Sequence, residues 1–278
     1  MTFLFGTVGS PTSTPKKPGG TVGAISELNR LGLSALELGW VRSVNISEAR
    51  CFLISDTAKQ QNIALSIHAS YYININTDED SWPQHKYRLL KAAYFGSIAG
   101  ASDIIFHPGS YMGTESGKVY PVVIHRLNEL QNVMVQQNIT VTLRPETMGK
   151  QSLIGSLDDL LTICTKVENC LPCLDFPHLF ARSGGKKPNS QSDFIEILSA
   201  YESKFGPASL QSLHIHVSGI DFTDAGERKH LPLFESTFKY KEMLSALYIM
   251  NCGGRILCES PEMERDALIL KKYWESLL

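Results

Sequence analysis

Short apolar runs alternate with longer helical segments along this chain. Eight runs are rich in β-branched or aromatic residues, and each is followed by a segment with helical periodicity. Such alternation is typical of βα units, which build a parallel sheet. The predicted strands cover residues 3–8, 35–38, 64–68, 103–106, 140–143, 171–174, 212–217 and 255–258, and the predicted helices cover about 22–31, 47–61, 81–100, 119–137, 156–167, 190–205, 240–250 and 263–277.

Two α/β architectures can accommodate these units, an open doubly wound sheet and a closed barrel. A dinucleotide-binding open sheet would carry G-x-G-x-x-G after its first strand, whereas Gly6 and Gly9 are followed there by Ser10 and Pro11. No Walker A sequence, linker or composition break interrupts the chain. The sequence therefore predicts an α/β fold with one domain over residues 1–278, a single (β/α)₈ TIM barrel. The longest predicted irregular stretches, 10–20, 111–117, 181–189 and 219–236, all follow strands.

Composition narrows the function classes. The chain has 26 Lys and Arg against 28 Asp and Glu, so a protein that coats nucleic acid through bulk charge is excluded, although a local basic patch is allowed. The six cysteines are too few for a disulfide scaffold. Cys170 and Cys173 form a lone C-x-x-C and are predicted to be buried thiols, because a structural zinc site would need a second such pair. The absence of a charged leader and of a membrane-length apolar stretch predicts a cytoplasmic protein without membrane association.

Carboxylates and imidazoles occur at or just after the predicted strand ends. In a barrel these ends converge on one mouth, where isolated ions would be costly, so bound divalent cations are expected. Imidazole and carboxylate without thiolate suit Zn²⁺, Mn²⁺ or Fe²⁺ better than Ca²⁺ or Mg²⁺. The histidines exceed the needs of one catalytic metal, which predicts at least two metals and hydrolysis at phosphorus. The residues are Glu37, His68, His107, Glu146, Asp175 with His178, His216 and Glu259.

Five sequence runs resemble, in order and spacing, the endonuclease IV family of apurinic/apyrimidinic endonucleases. They are residues 68–74 (HASYYIN), 107–110 (HPGS), 174–181 (LDFPHLFA), 213–216 (LHIH) and 257–259 (LCE), and the resemblance covers essentially the whole chain. It implies a (β/α)₈ barrel with three zinc ions that cleaves the phosphodiester 5′ to an abasic deoxyribose and leaves a 3′-hydroxyl. The partner would be duplex DNA containing abasic sites, and no protein partner is predicted.

The resemblance also implies residue roles. One zinc would be held by His68, His107 and Glu146, and Glu146 would bridge to a second zinc and orient the catalytic nucleophile. The second zinc would also be held by Asp175, His216 and Glu259, and a third by His178. Tyr71 matches an aromatic that the family sets against DNA beside the lesion.

The chain departs from the family at the third zinc. The family has Asp-x-His after the seventh strand, whereas residues 226–230 read Gly-Glu-Arg-Lys-His, which places Arg228 two positions before His230. Glu227, with altered spacing, or Asp224 could take the place of the aspartate. We therefore expect two to three zinc ions per chain, with manganese as an alternative.

Other candidates follow from their position. His216 is preferred to His214 as a ligand because it lies nearer the strand end, and His214 is expected to be a core residue or a partner of a ligand. Glu37 is expected to hydrogen-bond a ligand or to form a loop salt bridge. The loop cations include Arg182 and Arg228, which are predicted to bind substrate phosphates at the rim, and Tyr71 is the third predicted substrate-binding residue. The other loop cations are Lys16, Lys17, Lys186, Lys187 and Lys229.

Two rival interpretations remain. Xylose isomerase-like keto-sugar epimerases and isomerases also place Glu, Asp, His and Glu on successive strand ends, here Glu146, Asp175, His216 and Glu259, and use one divalent metal with two carboxylates as acid and base. The additional His68, His107 and His178, with the Tyr71 run, favour the nuclease. A barrel that keeps the pocket but only binds a partner is the third interpretation.

Overall fold

Eight parallel strands form the wall of a barrel within residues 3–278, the part of the chain that the computed structural model describes. The TIM-barrel prediction is confirmed. The barrel strands are β1 (Phe3–Val8), β2 (Ala35–Gly39), β3 (Ala64–His68), β4 (Ala101–Phe106), β5 (Thr142–Pro145), β6 (Cys173–Asp175), β7 (Leu213–Val217) and β10 (Gly254–Cys258). Hydrogen-bonded neighbours follow the order β5-β4-β3-β2-β1-β10-β7-β6. Isolated bridges from Leu143 to Cys170 and from Glu146 to Cys173 join β5 to the β6 segment.

Helices surround this wall. They are α1 (Gly20–Arg30), α2 (Glu48–Gln61), α3 (Trp82–Ile98), α4 (Ser116–Gln136), α5 (Leu157–Cys164), α6 (Phe176–Arg182), α7 (Gln191–Phe205), α8 (Tyr240–Ile249) and α9 (Glu264–Glu275). Serine begins several of them: the Ser156 and Ser190 hydroxyls accept from the amides of Asp159 and Asp193 in complete capping boxes. No helix within residues 3–278 is both long and apolar enough to cross a membrane.

Two strands begin two residues later than predicted. Strand β5 covers 142–145 rather than 140–143, and its register is fixed by pairing with β4 from Thr142 opposite Asp103 to Pro145 opposite Phe106. The apolar criterion ended this strand too early because Arg144 lies inside the barrel, where its Nε donates to Asp103 Oδ1 over 2.6 Å. Strand β6 is a three-residue element at 173–175 rather than 171–174, after Pro172, which has no amide to donate to a ladder.

The stretch 219–236 was predicted to be irregular, but it contains regular secondary structure. Strands β8 (Gly219–Thr223) and β9 (Gly226–Leu231) form an antiparallel hairpin that follows β7. Strand β9 reads GERKHL, which has no apolar alternation, so periodicity could not find it. Helix α6 was also missed. It begins directly after β6, where the Asp175 Oδ1 accepts from the His178 amide over 2.6 Å.

Close packing of the wall depends on small residues. A Cβ atom at Gly6 of β1 would lie 1.8 Å from the Ala35 carbonyl oxygen of β2. At the N-terminal end of the barrel, the Asp103 carboxylate pairs with Arg144 and Arg255. The opposite end, where the strands terminate, carries the carboxylates and imidazoles discussed next.

Candidate metal centre at the barrel mouth

The barrel brings the predicted strand-end side chains to one mouth. His68 ends β3, Asp175 ends β6, and His216 is the second-last residue of β7. His107, Glu146 and Glu259 directly follow β4, β5 and β10. Ligand-type atoms of these residues lie within 4.8 Å of one another in two overlapping sets, His68 with His107 and Glu146, and Glu146 with Asp175, His216 and Glu259.

Glu146 lies between these two sets and belongs to both. Its Oε2 is 3.3 Å from His68 Nε2 and 3.2 Å from His107 Nε2. Its Oε1 is 3.0 Å from His216 Nδ1. The Glu146 amide donates to the Phe106 carbonyl over 3.0 Å, which fixes its backbone against β4. Each carboxylate oxygen therefore faces a different group of imidazoles, as a bridging carboxylate requires.

The spacing suits shared coordination. Ligand atoms about 2.0–2.1 Å from a tetrahedral zinc lie about 3.3 Å from each other. The contacts of Glu146 Oε2 with His68 and His107, 3.3 and 3.2 Å, match this value. They are longer than charge-assisted hydrogen bonds, which are about 2.7–2.9 Å. The residues present therefore fit a divalent cation between them.

Backbone carbonyls fix the tautomer of three of these histidines. Nδ1 lies 3.0 Å from the Ala69 carbonyl oxygen in His68, 2.9 Å from that of Thr147 in His178, and 3.1 Å from that of Glu259 in His230. A carbonyl only accepts, so Nδ1 carries the proton. In neutral His68 the Nε2 lone pair then faces the Glu146 carboxylate, and either a proton or a metal ion between them would satisfy both groups. Burial opposes protonation, but Glu146 raises the pKa of His68 to about 9.

A further cluster lies beside the first two. His178 Nε2 and His230 Nε2 are 3.4 Å apart, and Glu227 Oε2 is 3.3 Å from His178 Nε2. Glu227 Oε1 is 3.8 Å from His230 Nε2. Because both imidazoles donate through Nδ1, two neutral rings would direct lone pairs at each other. Burial of the Glu227 carboxyl group opposes its ionisation, but the neighbouring His178 lowers the pKa of Glu227 to about 2.

A β-bulge explains how Glu227 reaches this cluster. Asp221 pairs with Lys229 and Phe222 pairs with Glu227, which leaves Arg228 as the extra residue. The extra residue shifts the alternation of side chains, so that Glu227 lies on the same face as His230. Arg228 is exposed and its Nη1 lies 3.3 Å from Asp221 Oδ2. The structure thus places Glu227, and not Arg228 or the exposed Asp224, beside His178 and His230.

Two glycines make room for this arrangement. A Cβ at Gly149 would lie 2.6 Å from the Cβ of Glu227. Gly226 has φ of +102°, and a Cβ there would lie 2.2 Å from the Gly149 carbonyl oxygen. The isolated bridge between Lys150 and Gly226 holds the hairpin against the loop after β5. These glycines allow the hairpin to deliver Glu227 and His230 to the mouth.

Some of the buried polar atoms without a hydrogen-bond partner lie at or beneath this site, whereas Arg144 Nη1 lies at the other end of the barrel. Within residues 3–278 they include Asp175 Oδ2, Glu37 Oε1 and His216 Nε2. Burial raises the pKa of Asp175 to about 7. No lysine or arginine in this part of the chain forms an ion pair with Glu146, Asp175 or Glu259. The carboxylates of the mouth are therefore arranged to accept a cation from outside the chain.

The three predicted substrate residues have different positions. The Tyr71 ring is 53% exposed and stacks on His107, with centroids 5.1 Å apart and planes at 25°. Arg182 differs from the expected rim cation, because its Nη1 donates to the carbonyls of Met148, Lys150 and Leu153. Its guanidinium thus holds the loop after β5. Arg228 is 62% exposed on β9.

A basic cleft beside Tyr71 was missed by sequence reasoning. A cavity of about 200 Å³ is lined by Arg42, Arg88, Lys91 and Tyr87, and we call it the Arg88 cleft. The Arg88 guanidinium lies 5.9 Å from the centroid of Tyr72, and Lys91 Nζ lies 5.7 Å from that of Tyr87. Among the described residues these three cations form no ion pair. The signal was the interleaving of Tyr and basic residues in α3, which loop-based reasoning did not weigh.

The sequence of this chain is similar to those of known proteins. A family model described as xylose isomerase-like TIM barrel matches residues 25–276. Uncharacterized protein MJ0133 of Methanocaldococcus jannaschii is 35% identical over 276 residues, covering 99% of this chain and 98% of that protein. The probable endonuclease 4 of Halothermothrix orenii is 26% identical over 236 residues, 75% of this chain and 83% of that protein.

Solved structures show the same fold. Endonuclease IV from Thermus thermophilus superposes with a TM-score of 0.76 at 18% identity, covering 99% of this chain and 100% of that one. A D-tagatose 3-epimerase-like protein superposes with a TM-score of 0.75 at 17% identity, covering 99% and 98%. The two scores are nearly equal, so the fold alone does not separate a nuclease from an epimerase.

The fold and the mouth define a TIM barrel with candidate divalent-metal clusters at its strand ends. The chain belongs to the xylose isomerase-like TIM barrel family, as a divergent, endonuclease IV-like member.

Proposed function

We propose that this protein is a zinc-dependent endonuclease that hydrolyses the phosphodiester 5′ to abasic sites in duplex DNA and leaves a 3′-hydroxyl. One observation carries the proposal: the cluster of His178, His230 and Glu227 lies beside the Glu146-centred clusters. A metal-dependent epimerase needs only the quartet of Glu146, Asp175, His216 and Glu259. The additional imidazoles have a role when several cations act together on a phosphodiester.

The proposed zinc sites follow the three clusters. His68, His107 and Glu146 would hold one ion, and Glu146 would share a second with Asp175, His216 and Glu259. His178, His230 and Glu227 would hold a third. Such ions, when bound, neutralise phosphoryl oxygens and lower the pKa of water.

The chain itself would orient the reacting groups. Glu146 is completely buried and fixed by its amide, so its carboxylate can hold an attacking water in one direction. The exposed Tyr71 ring, stacked on His107, forms a wall against which a base pair next to the lesion can pack. A sugar without a base would leave the duplex at lower cost than a paired nucleotide, which supports selectivity for abasic sites.

The Arg88 cleft supports DNA as the substrate. It adjoins the mouth through Tyr72, which neighbours Tyr71 in sequence and contacts Arg88. Three cations without ion-pair partners among the described residues suit the phosphates of a strand that continues past the lesion. The chain has a net charge of −2, so such a cluster of cations is not explained by an excess of basic residues in the chain as a whole.

The keto-sugar epimerase is the second candidate, favoured by the quartet that includes Glu146 and Glu259. In that function Glu146 and Glu259 would act as acid and base on either side of a ketose. His178, His230 and Glu227 would then have no part in the reaction.

Incision of a labelled duplex tests the proposal. Zinc-loaded protein is incubated with a duplex containing one abasic-site analogue and with the same duplex intact, and a ketohexose is tested in parallel. We expect a nick 5′ to the analogue whose 3′-end a DNA polymerase can extend. His107→Ala should abolish the nick, whereas His125→Ala, at an exposed position in α4, should not. Conversion of the ketose without incision would instead establish the epimerase.

A further inference from the structure

A buried carboxylate lies beneath the metal clusters. Glu37 is in β2, and it meets His214 and His216 of β7, although β1 and β10 separate these strands in the barrel wall. Its Oε2 accepts from His214 Nε2 over 2.9 Å and from the Ser66 hydroxyl over 2.9 Å. Its Oε1 is 3.2 Å from His216 Nε2. All four side chains are buried, so these contacts are made without solvent.

His216 differs from the other histidines of the mouth in how its ring is held. His68, His178 and His230 present Nδ1 to backbone carbonyls and direct Nε2 towards the clusters. His216 is reversed: its Nδ1 is 3.0 Å from Glu146 Oε1 and 3.5 Å from Glu259 Oε1. Its Nε2 faces Glu37. The group that His216 Nε2 faces is thus a carboxylate and not a carbonyl.

The surroundings of Glu37 direct one oxygen to His216. His214 and Ser66 hydrogen-bond to Oε2, whereas Oε1 forms no hydrogen bond of good geometry among residues 3–278 and lies 3.2 Å from His216 Nε2. The buried guanidinium groups of Arg144 and Arg255 pair with Asp103 instead. The negative charge of Glu37 is therefore available to the His216 ring.

We propose that Glu37 is a positioning residue that holds His216 as the Nε2–H tautomer, so that Nδ1 is the atom donated to the metal shared with Glu146. A carboxylate in this position also makes the imidazole a stronger donor than a carbonyl would. His214 and Ser66 act through Glu37 by holding its other oxygen. The inference rests on the proposed metal centre, but it does not require that the substrate be DNA.

Zinc affinity without DNA tests this role. Metal-free protein and its Glu37→Gln variant are titrated with zinc against a competing chelator. Glutamine keeps the size of the side chain and removes the charge, so we expect one zinc per chain to bind about 10- to 100-fold more weakly, with the remaining sites unchanged. Glu27→Gln is the matched control, because Glu27 is also buried but pairs with Arg30 on α1. Wild-type affinity at every site of the Glu37 variant would overturn the proposal.

Ring-nitrogen NMR of the wild-type protein keeps the test independent of whether the variant folds. In the zinc-loaded protein labelled with ¹⁵N-histidine, we expect His216 to show a metal-bound Nδ1 and a protonated Nε2, and His68 the reverse. Coordination of His216 through Nε2 would refute the role of Glu37. If His216 binds zinc through Nδ1 but abasic DNA is not incised, the proposed function fails and this inference stands.

Discussion

The two ends of the barrel handle buried charge in opposite ways. At the N-terminal end, the Asp103 carboxylate is paired with Arg144 over 2.6 Å and with Arg255 over 3.2 Å. At the mouth, Glu146 and Asp175 are equally buried, but their charged neighbours among the described residues are imidazoles. A buried carboxylate without an opposite charge is costly. The carboxylate at the base is thus neutralised by guanidinium groups of the chain, whereas the carboxylates of the mouth require protons or metal ions.

This difference between the two ends of the barrel indicates that buried carboxylates serve stability at one end and function at the other. Residues at the N-terminal end of a barrel contribute to folding, and residues at strand C-termini contribute to chemistry. Here Asp103, paired with arginines, is expected to contribute to folding, and Glu146, surrounded by imidazoles, is expected to contribute to chemistry. Substitutions at the two ends should therefore change different measurements.

Glu146→Gln should give the largest change at the mouth. The amide has no charge to share between the two clusters, so we expect zinc content to fall and incision of an abasic duplex to drop by at least about 100-fold. Circular dichroism should show a folded barrel. Glu27→Gln is the control for loss of a carboxylate elsewhere. Full incision by the Glu146 variant would remove this residue from the centre of the site.

Arg144→Met should give the largest change in stability at the base. It leaves Asp103 with Arg255 alone and removes the donor to the Ser212 carbonyl. Loss of one partner of a buried ion pair costs about 3–5 kcal/mol, which denaturant unfolding can measure. Zinc affinity of the folded protein should not change.

A second substitution sharpens this result. In the Asp103→Asn/Arg144→Met double variant, the loss should be smaller than the sum of the two single losses, because the residues contact each other. Additive losses would show that the pair does not act as a unit.

Sequence reasoning captured the parts of the molecule that periodicity reports. The barrel strands were found because their apolar runs are buried on both faces, and the strand-end residues because βα spacing places them at one mouth. The β9 strand was missed because its residues Glu227 to His230 are polar, and the bulge at Arg228 has no sequence signal. Arg182 was assigned to the rim from its charge, but the structure directs its guanidinium to carbonyls of its own loop.

Glu227→Gln probes the cluster that the bulge creates. We expect one zinc fewer per chain by elemental analysis, because the amide is a poorer ligand beside His178 and His230. Arg228→Gln is the matched control one residue away, and it should leave the metal content unchanged because Arg228 is exposed. Equal metal content in both variants would exclude Glu227 as a ligand.

Arg88→Ala with Lys91→Ala should give the smallest change. Each phosphate contact contributes about 0.9 to the slope of log affinity against log salt, so the slope should decrease by about 1.8. Fluorescence anisotropy with a duplex measures it. Lys59→Ala with Lys204→Ala removes the same charge from exposed positions in the last turns of α2 and α7, near the barrel base. Equal slopes in the two double variants would show that the Arg88 cleft does not contact DNA.

Anomalous diffraction at the zinc edge, from crystals grown with zinc, tests most directly whether the mouth holds several metal ions. We expect two to three peaks per chain: between Glu146 and the pair His68 and His107, between Glu146 and His216, and between His178 and His230. A map without any peak, in which the Glu146 carboxylate instead accepts hydrogen bonds from doubly protonated imidazoles, would contradict the metal centre.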